Sequence, residues 1–139
     1  MKTVTFTVYG RPLPKGSAKA FVIKGTNRAV VTSNTKGLKG WEESIRAEAQ
    51  QHATELMLGS IGLDLVFSLP RPKSLKVGKP ARHTKRPDLD KLIRGACDAL
   101  NGIIWKDDAQ ITAILARKVY APTQESVPYV RFQITEESL

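Results

Sequence analysis

The sequence has little cysteine, little acid and no long apolar run. One cysteine, Cys97, stands in 139 residues, so no disulfide forms within the chain. That excludes a disulfide-stapled scaffold and fits a reducing compartment. No stretch approaches the ~18 consecutive apolar residues of a membrane-spanning helix. The opening MKTVTFTVYG alternates polar with apolar residues and lacks the apolar run of a secretory signal. These absences predict a cytoplasmic chain. His52 and His83 follow no metal-ligand spacing. Acids are outnumbered: 13 Asp plus Glu face 22 Lys plus Arg, a formal net charge of +9. A basic domain of this size suggests a polyanionic partner. General solubility explains the total equally well, so the distribution of charge says more.

The length predicts one domain over residues 1–139, large enough to bury its own core. Val4, Phe6 and Val8 alternate with Thr3, Thr5 and Thr7, which predicts a half-buried strand over 2–9. Residues 20–23 and 29–32 flank Gly25-Thr26-Asn27 and read as a hairpin. Leu38, Trp41, Ile45, Ala49, Ala53 and Leu56 recur at helical spacing. They predict a helix over 36–57, capped by Thr35 or Ser33 and closed by Gly59. Ile61 to Leu69 alternate as a strand. A second amphipathic helix is expected over 88–101, with Asn101-Gly102 as its stop. Residues 110–120 and 127–134 read as final strands around Pro122. The expected fold is α/β in the broad sense (α+β), with a mixed sheet and two main helices.

Between Ile61–Leu69 and the second helix the composition changes. Residues 70–87 carry seven cations, Arg71, Lys73, Lys76, Lys79, Arg82, Lys85 and Arg86, and no acid. Four prolines and Gly78 forbid a long helix or strand there. Like charges repel, so the segment reads as a mobile basic loop that gains order when an anion arrives. A solvated surface linker is the plainer alternative. Nucleic-acid backbone is the favoured partner for this loop and for Lys15.

The few acids cluster. Asp88 and Asp90 open the second helix, and Asp107-Asp108 follow soon after it ends. Taken singly, each has a structural reading. Asp88 serves as an N-cap, Asp90 suits the positive end of the helix dipole, and Asp107-Asp108 suit a turn. Together they fit the needs of phosphodiester hydrolysis. That chemistry uses a cation to polarise phosphate and activate water. Mg²⁺ takes oxygen ligands, usually one or two carboxylates plus water and substrate phosphate. Adjacent residues of an extended segment point to opposite sides, so only one of Asp107 and Asp108 joins Asp88 and Asp90. Arg94 lies four residues after Asp90 and four before Asp98. The stripe is either an ion-pair ladder or a phosphate-stabilising site, with Lys91 as the alternative cation. Trp105 reads as a core residue rather than a base-stacking one.

The run Arg86-Pro87-Asp88-Leu89-Asp90-Lys91-Leu92, then Cys97-Asp98-Ala99-Leu100-Asn101-Gly102, then Trp105-Lys106-Asp107-Asp108-Ala109-Gln110-Ile111, resembles the RusA family of Holliday junction resolvases. Gly10-Arg11-Pro12-Leu13-Pro14-Lys15-Gly16 is similar to the family's N-terminal region. The resemblance implies a homodimer that binds four-way DNA junctions and cuts two strands symmetrically with Mg²⁺ or Mn²⁺. It implies metal ligation by Asp88, Asp90 and Asp108, with Asp107 beside them. The family's functional lysine falls at Arg94, and its usual Asn after the paired Asp falls at Lys91. Arginine is not a neutral base and its fork differs from an ammonium, so Lys91 is the other candidate for that role. Two further readings compete: a non-catalytic branched-DNA-binding protein, and a nuclease for flapped DNA or RNA.

Overall fold

A computed structural model describes residues 2–16, 19–22, 24–32 and 35–137. Alternation builds its main sheet. Strand β1 is Lys2–Tyr9, β4 is Ser60–Leu69, β5 is Ile111–Tyr120 and β6 is Tyr129–Glu137. They lie in the order β1-β6-β4-β5. The pairs β1/β6 and β4/β6 are antiparallel, whereas β4/β5 is parallel. The sheet is therefore mixed, as the sequence predicts. Strands β2 (Lys19–Val22) and β3 (Ala29–Thr32) form the expected hairpin as a separate antiparallel pair. Ile23 and Ser33 lie outside the described residues.

Two helices cover one face. Helix α1 is Leu38–His52 and α2 is Leu89–Leu100. Parallel neighbours need a crossover, and α2 supplies it between β4 and β5. Phe6, Val8, Leu63, Leu65, Phe67, Val130, Phe132 and Ile134 bury against Trp41, Ile45, Leu92, Ala96 and Leu100 in one core. Each large apolar side chain so buried contributes about 1.5–3 kcal/mol. The opposite face is wet: Asp64, Arg131 and Gln133 are exposed. The result is a single small α+β domain. No helix among the described residues is long and apolar enough to cross a membrane.

Helix α1 is shorter than its periodicity implies. Its N-cap is Gly37, at φ 83°, not Thr35. The Thr35 hydroxyl donates instead to the Pro14 carbonyl at 2.7 Å, tying the N-terminal loop to the helix entry. The helix ends at His52, and Leu56, which continues the 3.6 spacing, is exposed. Met57 explains the early exit. Its N–H donates to the Ile104 carbonyl at 2.8 Å and its side chain is buried, which requires an extended approach. Gly59 lies just before β4 rather than at the end of the helix. Its N–H and that of Leu58 both donate to the Glu136 carboxylate at 2.8 Å.

Residues 70–87 have the irregular backbone expected, but they are fastened. Arg71 donates to four carbonyls: Leu75 at 3.1 Å, Ala121 at 3.3 Å, Lys76 at 2.6 Å and Lys79 at 2.7 Å. Gln124 donates to the carbonyls of Pro72 and Leu75, at 3.2 and 2.9 Å. Lys118 of β5 donates to those of Lys85 and Pro87, at 2.6 and 2.8 Å. Arginine's planar fork suits several acceptors at once. Arg71→Ala should therefore loosen the loop and leave the core alone. Hydrogen–deuterium exchange at the Leu75 and Lys79 amides should quicken several-fold, with the sheet amides unchanged. Unchanged loop exchange would mean that Arg71 does not hold it.

Candidate active site

Helix α2 positions the first two carboxylates. Asp88 is the N-cap, with extended backbone (φ −70°, ψ 136°), and its carbonyl accepts from the Leu92 N–H at 3.1 Å. Its side chain makes no cap hydrogen bond, so the capping explanation for the carboxylate does not hold. Asp88 and Asp90 are both exposed. Lys91 donates to Asp90 Oδ2 at 2.9 Å, and that bond holds the Asp90 carboxyl below its ordinary range.

The ladder along α2 is absent. Arg94 is exposed and makes no hydrogen bond or ion pair with the described residues. Asp98 pairs instead with Lys15, at 3.1 Å, and Lys15 also reaches Glu42 of α1 at 3.4 Å. Partial burial works against the Lys15 charge, but the bonds and charges of Asp98 and Glu42 outweigh it and raise the pKa. Lys15 thus ties both helices together. Its backbone N–H donates to the Lys91 carbonyl at 3.0 Å. This crossing passes over Gly95, where an added Cβ would come within 3.3 Å of the Leu13 carbonyl.

The second acidic pair divides its roles. Asp107 caps a 3₁₀ turn, Asp108–Gln110, accepting from the Ala109 N–H at 2.8 Å. Gln110 accepts from the N–H groups of Lys106 and Asp107 at 2.9 and 2.8 Å. It also donates to the carbonyls of Met57 and Gly59 at 2.8 and 3.0 Å. Asp108 accepts from the indole N–H of Trp105 at 2.7 Å. Trp105 itself is fully buried, as a core residue should be. Sequence reasoning missed the second use of this side chain. Asp108 also lies near Cys97, whose thiol is pushed up to about 12 by burial first and then by the charges of Asp108 and Asp98.

The donor chemistry suits a hard divalent cation, since every candidate ligand is a carboxylate oxygen. The gathering is incomplete. Among the described residues no three His, Cys, Asp or Glu side chains stand close enough to hold a metal. Asp88 instead opens onto a cavity of about 540 Å³ lined by Arg11, Arg86, Lys91 and a proline-rich wall. Sequence reasoning assigned Arg11 no role; its signal was its place in the run Gly10–Gly16 that resembles the family's N-terminal region. Of the predicted phosphate contacts, Lys73, Lys76, Lys79, Arg82, Lys85 and Arg86 are exposed, while Arg71 and Lys15 are occupied as described.

The family model for endodeoxyribonuclease RusA matches residues 10–130. The chain belongs to the RusA family. The match takes in the N-terminal loop, the loop over 70–87 and both acidic motifs. A similar protein of Bacillus subtilis (strain 168), the uncharacterized protein YqaN, is 30% identical over 148 residues, 99% of each chain.

Trp105→Phe keeps an aromatic ring in the core of this RusA-family protein and deletes the donor to Asp108. A hydrogen bond to a charged group contributes about 1.5–3 kcal/mol, so the melting temperature should fall by several degrees. DNA cleavage should fall as well. Leu65→Ala, a cavity remote from Asp108 costing about 2–5 kcal/mol, should lower stability but spare the rate. Equal loss of rate in both variants would make Trp105 a purely structural residue.

Proposed function

We propose that the protein is a metal-dependent endodeoxyribonuclease that resolves four-way (Holliday) junctions. The observation that carries the proposal is Asp88: an exposed carboxylate without a cap bond, in a RusA-family chain, at the mouth of a cation-lined cavity. Asp88 and Asp90 are the primary ligands for Mg²⁺, which Mn²⁺ replaces. Asp108, held by Trp105, completes the set when substrate phosphate arrives, and Asp107 supports it from its cap. The ion supplies charge neutralisation at the phosphate and lowers the pKa of the attacking water. Arg94, which no acid among the described residues engages, stabilises charge on the phosphate. Lys91 serves the same end once it leaves Asp90. The loop cations 73–86 bind backbone phosphates, so affinity falls steeply with salt. The enzyme acts as a homodimer, because a C2 pair presents two equivalent sites to two equivalent strands. It works in the cytoplasm, on the nucleoid.

A second reading, a non-catalytic junction-binding protein, is favoured by one observation. Lys91 already neutralises Asp90, and no three acids gather among the described residues. Asp90→Asn separates the two. On a synthetic four-way junction with Mg²⁺, the parent protein should make paired cuts, and should do so far better than on matched duplex, flap or RNA. Asp90→Asn should abolish cutting and leave junction affinity equal or higher, because a repulsive charge has gone. Binding without cutting at any Mg²⁺ or Mn²⁺ concentration would select the second reading. Normal cutting by Asp90→Asn would remove the metal site from α2.

A further inference from the structure

The cavity at Asp88 does not end there. A smaller one, about 180 Å³, shares Arg11, Arg86 and Pro87 with it. That one in turn shares His83 and Tyr120 with a third, about 630 Å³, lined by loop residues and by β5. Three cavities that share lining residues in series form one chain, a trench in outline. Its charge is one-sided. Lys79, Arg82 and Arg117 line the far end, Arg11 and Arg86 the near end, and among the described residues the one carboxylate along it is Asp88. Arg117 and Tyr120 belong to β5, outside every motif read from the sequence.

We propose that this trench carries one unpaired strand of the branched DNA to Asp88, with His83 and Tyr120 as a base-stacking platform at its waist. The proposal rests on the nuclease function proposed above and names how its substrate is held. Three observations select a single strand. The waist has no more than a third the volume of either end, a narrowing that favours a single backbone. The rings of His83 and Tyr120 lie 4.3 Å apart at 33°, and both residues line both cavities. Burial and then Lys118 lower the His83 pKa, so the ring stays neutral and offers a π-face near neutral pH. Cations tracking a backbone beside aromatic rings are the common means of holding single strands.

The walls are already set. Arg71 and Lys118 use their donors on loop carbonyls, so they shape the trench rather than grip phosphate. Phosphate contact then falls to Lys79, Arg82 and Arg117 at the far end. A pre-ordered wall binds without the entropy cost of folding a free loop.

Binding measured in EDTA tests this whether or not the protein cuts. The probes are a four-way junction with 2-aminopurine at the branch point, the same strand alone, and a fully paired duplex. The exposed pair Arg82→Ala and Arg117→Ala together should weaken junction and single-strand binding. The single-strand salt slope should fall by about 1.4, two phosphate contacts' worth. Duplex binding should weaken less. Tyr120→Leu should lose the 2-aminopurine quench and about tenfold in affinity, one stacked base, while Tyr120→Phe keeps both. Equal losses on duplex and junction, or an unchanged slope, would overturn the single-strand path. Quenching retained in Tyr120→Leu would overturn the platform. Should Tyr120→Leu not fold, the arginine pair still decides the path and His83→Ala the platform. A protein that binds in this way but never cuts would refute the nuclease function alone.

Discussion

Burying an indole removes its N–H from water, and a buried donor without a partner costs about 1–3 kcal/mol. Trp105 is fully buried, so it needs an acceptor, and Asp108 is that acceptor. Much of the molecule is arranged around this requirement. The backbone of Trp105 bridges Met57 and Asn101, and its carbonyl accepts from the Gly102 N–H at 2.7 Å. Those contacts draw the exit of α1 and the end of α2 to one point. Gln110 then ties the acidic turn to the carbonyls of Met57 and Gly59. The position of Asp108 is thus a consequence of core packing, and its freedom is small.

The same economy governs the other acids. A chain of net charge +9 keeps few carboxylates, and most have a structural partner. Glu42 meets Lys15 and Arg46, Glu55 meets Lys2, Glu136 accepts two backbone N–H groups, and Asp98 meets Lys15. The exposed Lys2–Glu55 pair contributes little to stability, whereas Lys15, Glu42 and Asp98 are half-buried. Their effect is to set geometry. Lys15 in particular, by taking Asp98, leaves Arg94 unpaired. Among the described residues, Asp88 alone of the motif acids has a side chain with no hydrogen bond or ion pair. A free carboxylate amid cations is electrostatically favoured yet structurally unused.

Period and punctuation made most of the fold legible. The strand alternation of β1, β4 and β6 and the apolar stripe of α2 have local causes, and they appear within a residue or three of where the sequence places them. Long-range bonds hid the rest. Ala53 and Leu56 keep helical spacing, yet Met57 must meet Ile104, and no local signal says so. The basic loop reads as mobile because its partners, Ala121, Gln124 and Lys118, lie in β5 and the turn after it. The Asp90-Arg94-Asp98 spacing is right for a ladder, but Lys15 reaches Asp98 from another element. The motifs located the candidate site because each compresses chemistry into a few neighbouring residues. The trench walls, from Arg11 to Arg117, assemble only in three dimensions.

The central claim is that the carboxylates at the head of α2 hold a divalent ion against DNA. Anomalous diffraction from the protein crystallised with Mn²⁺ and a four-way junction tests it most directly. The account predicts a peak bonded to carboxylate oxygens of Asp88 and Asp90, about 2 Å away as for small divalent ions, with Asp108 bound to the same ion or to its water. A junction-bound, cleavage-competent complex whose ion lies elsewhere, or whose Asp90 still pairs with Lys91 and binds no ion, would contradict it.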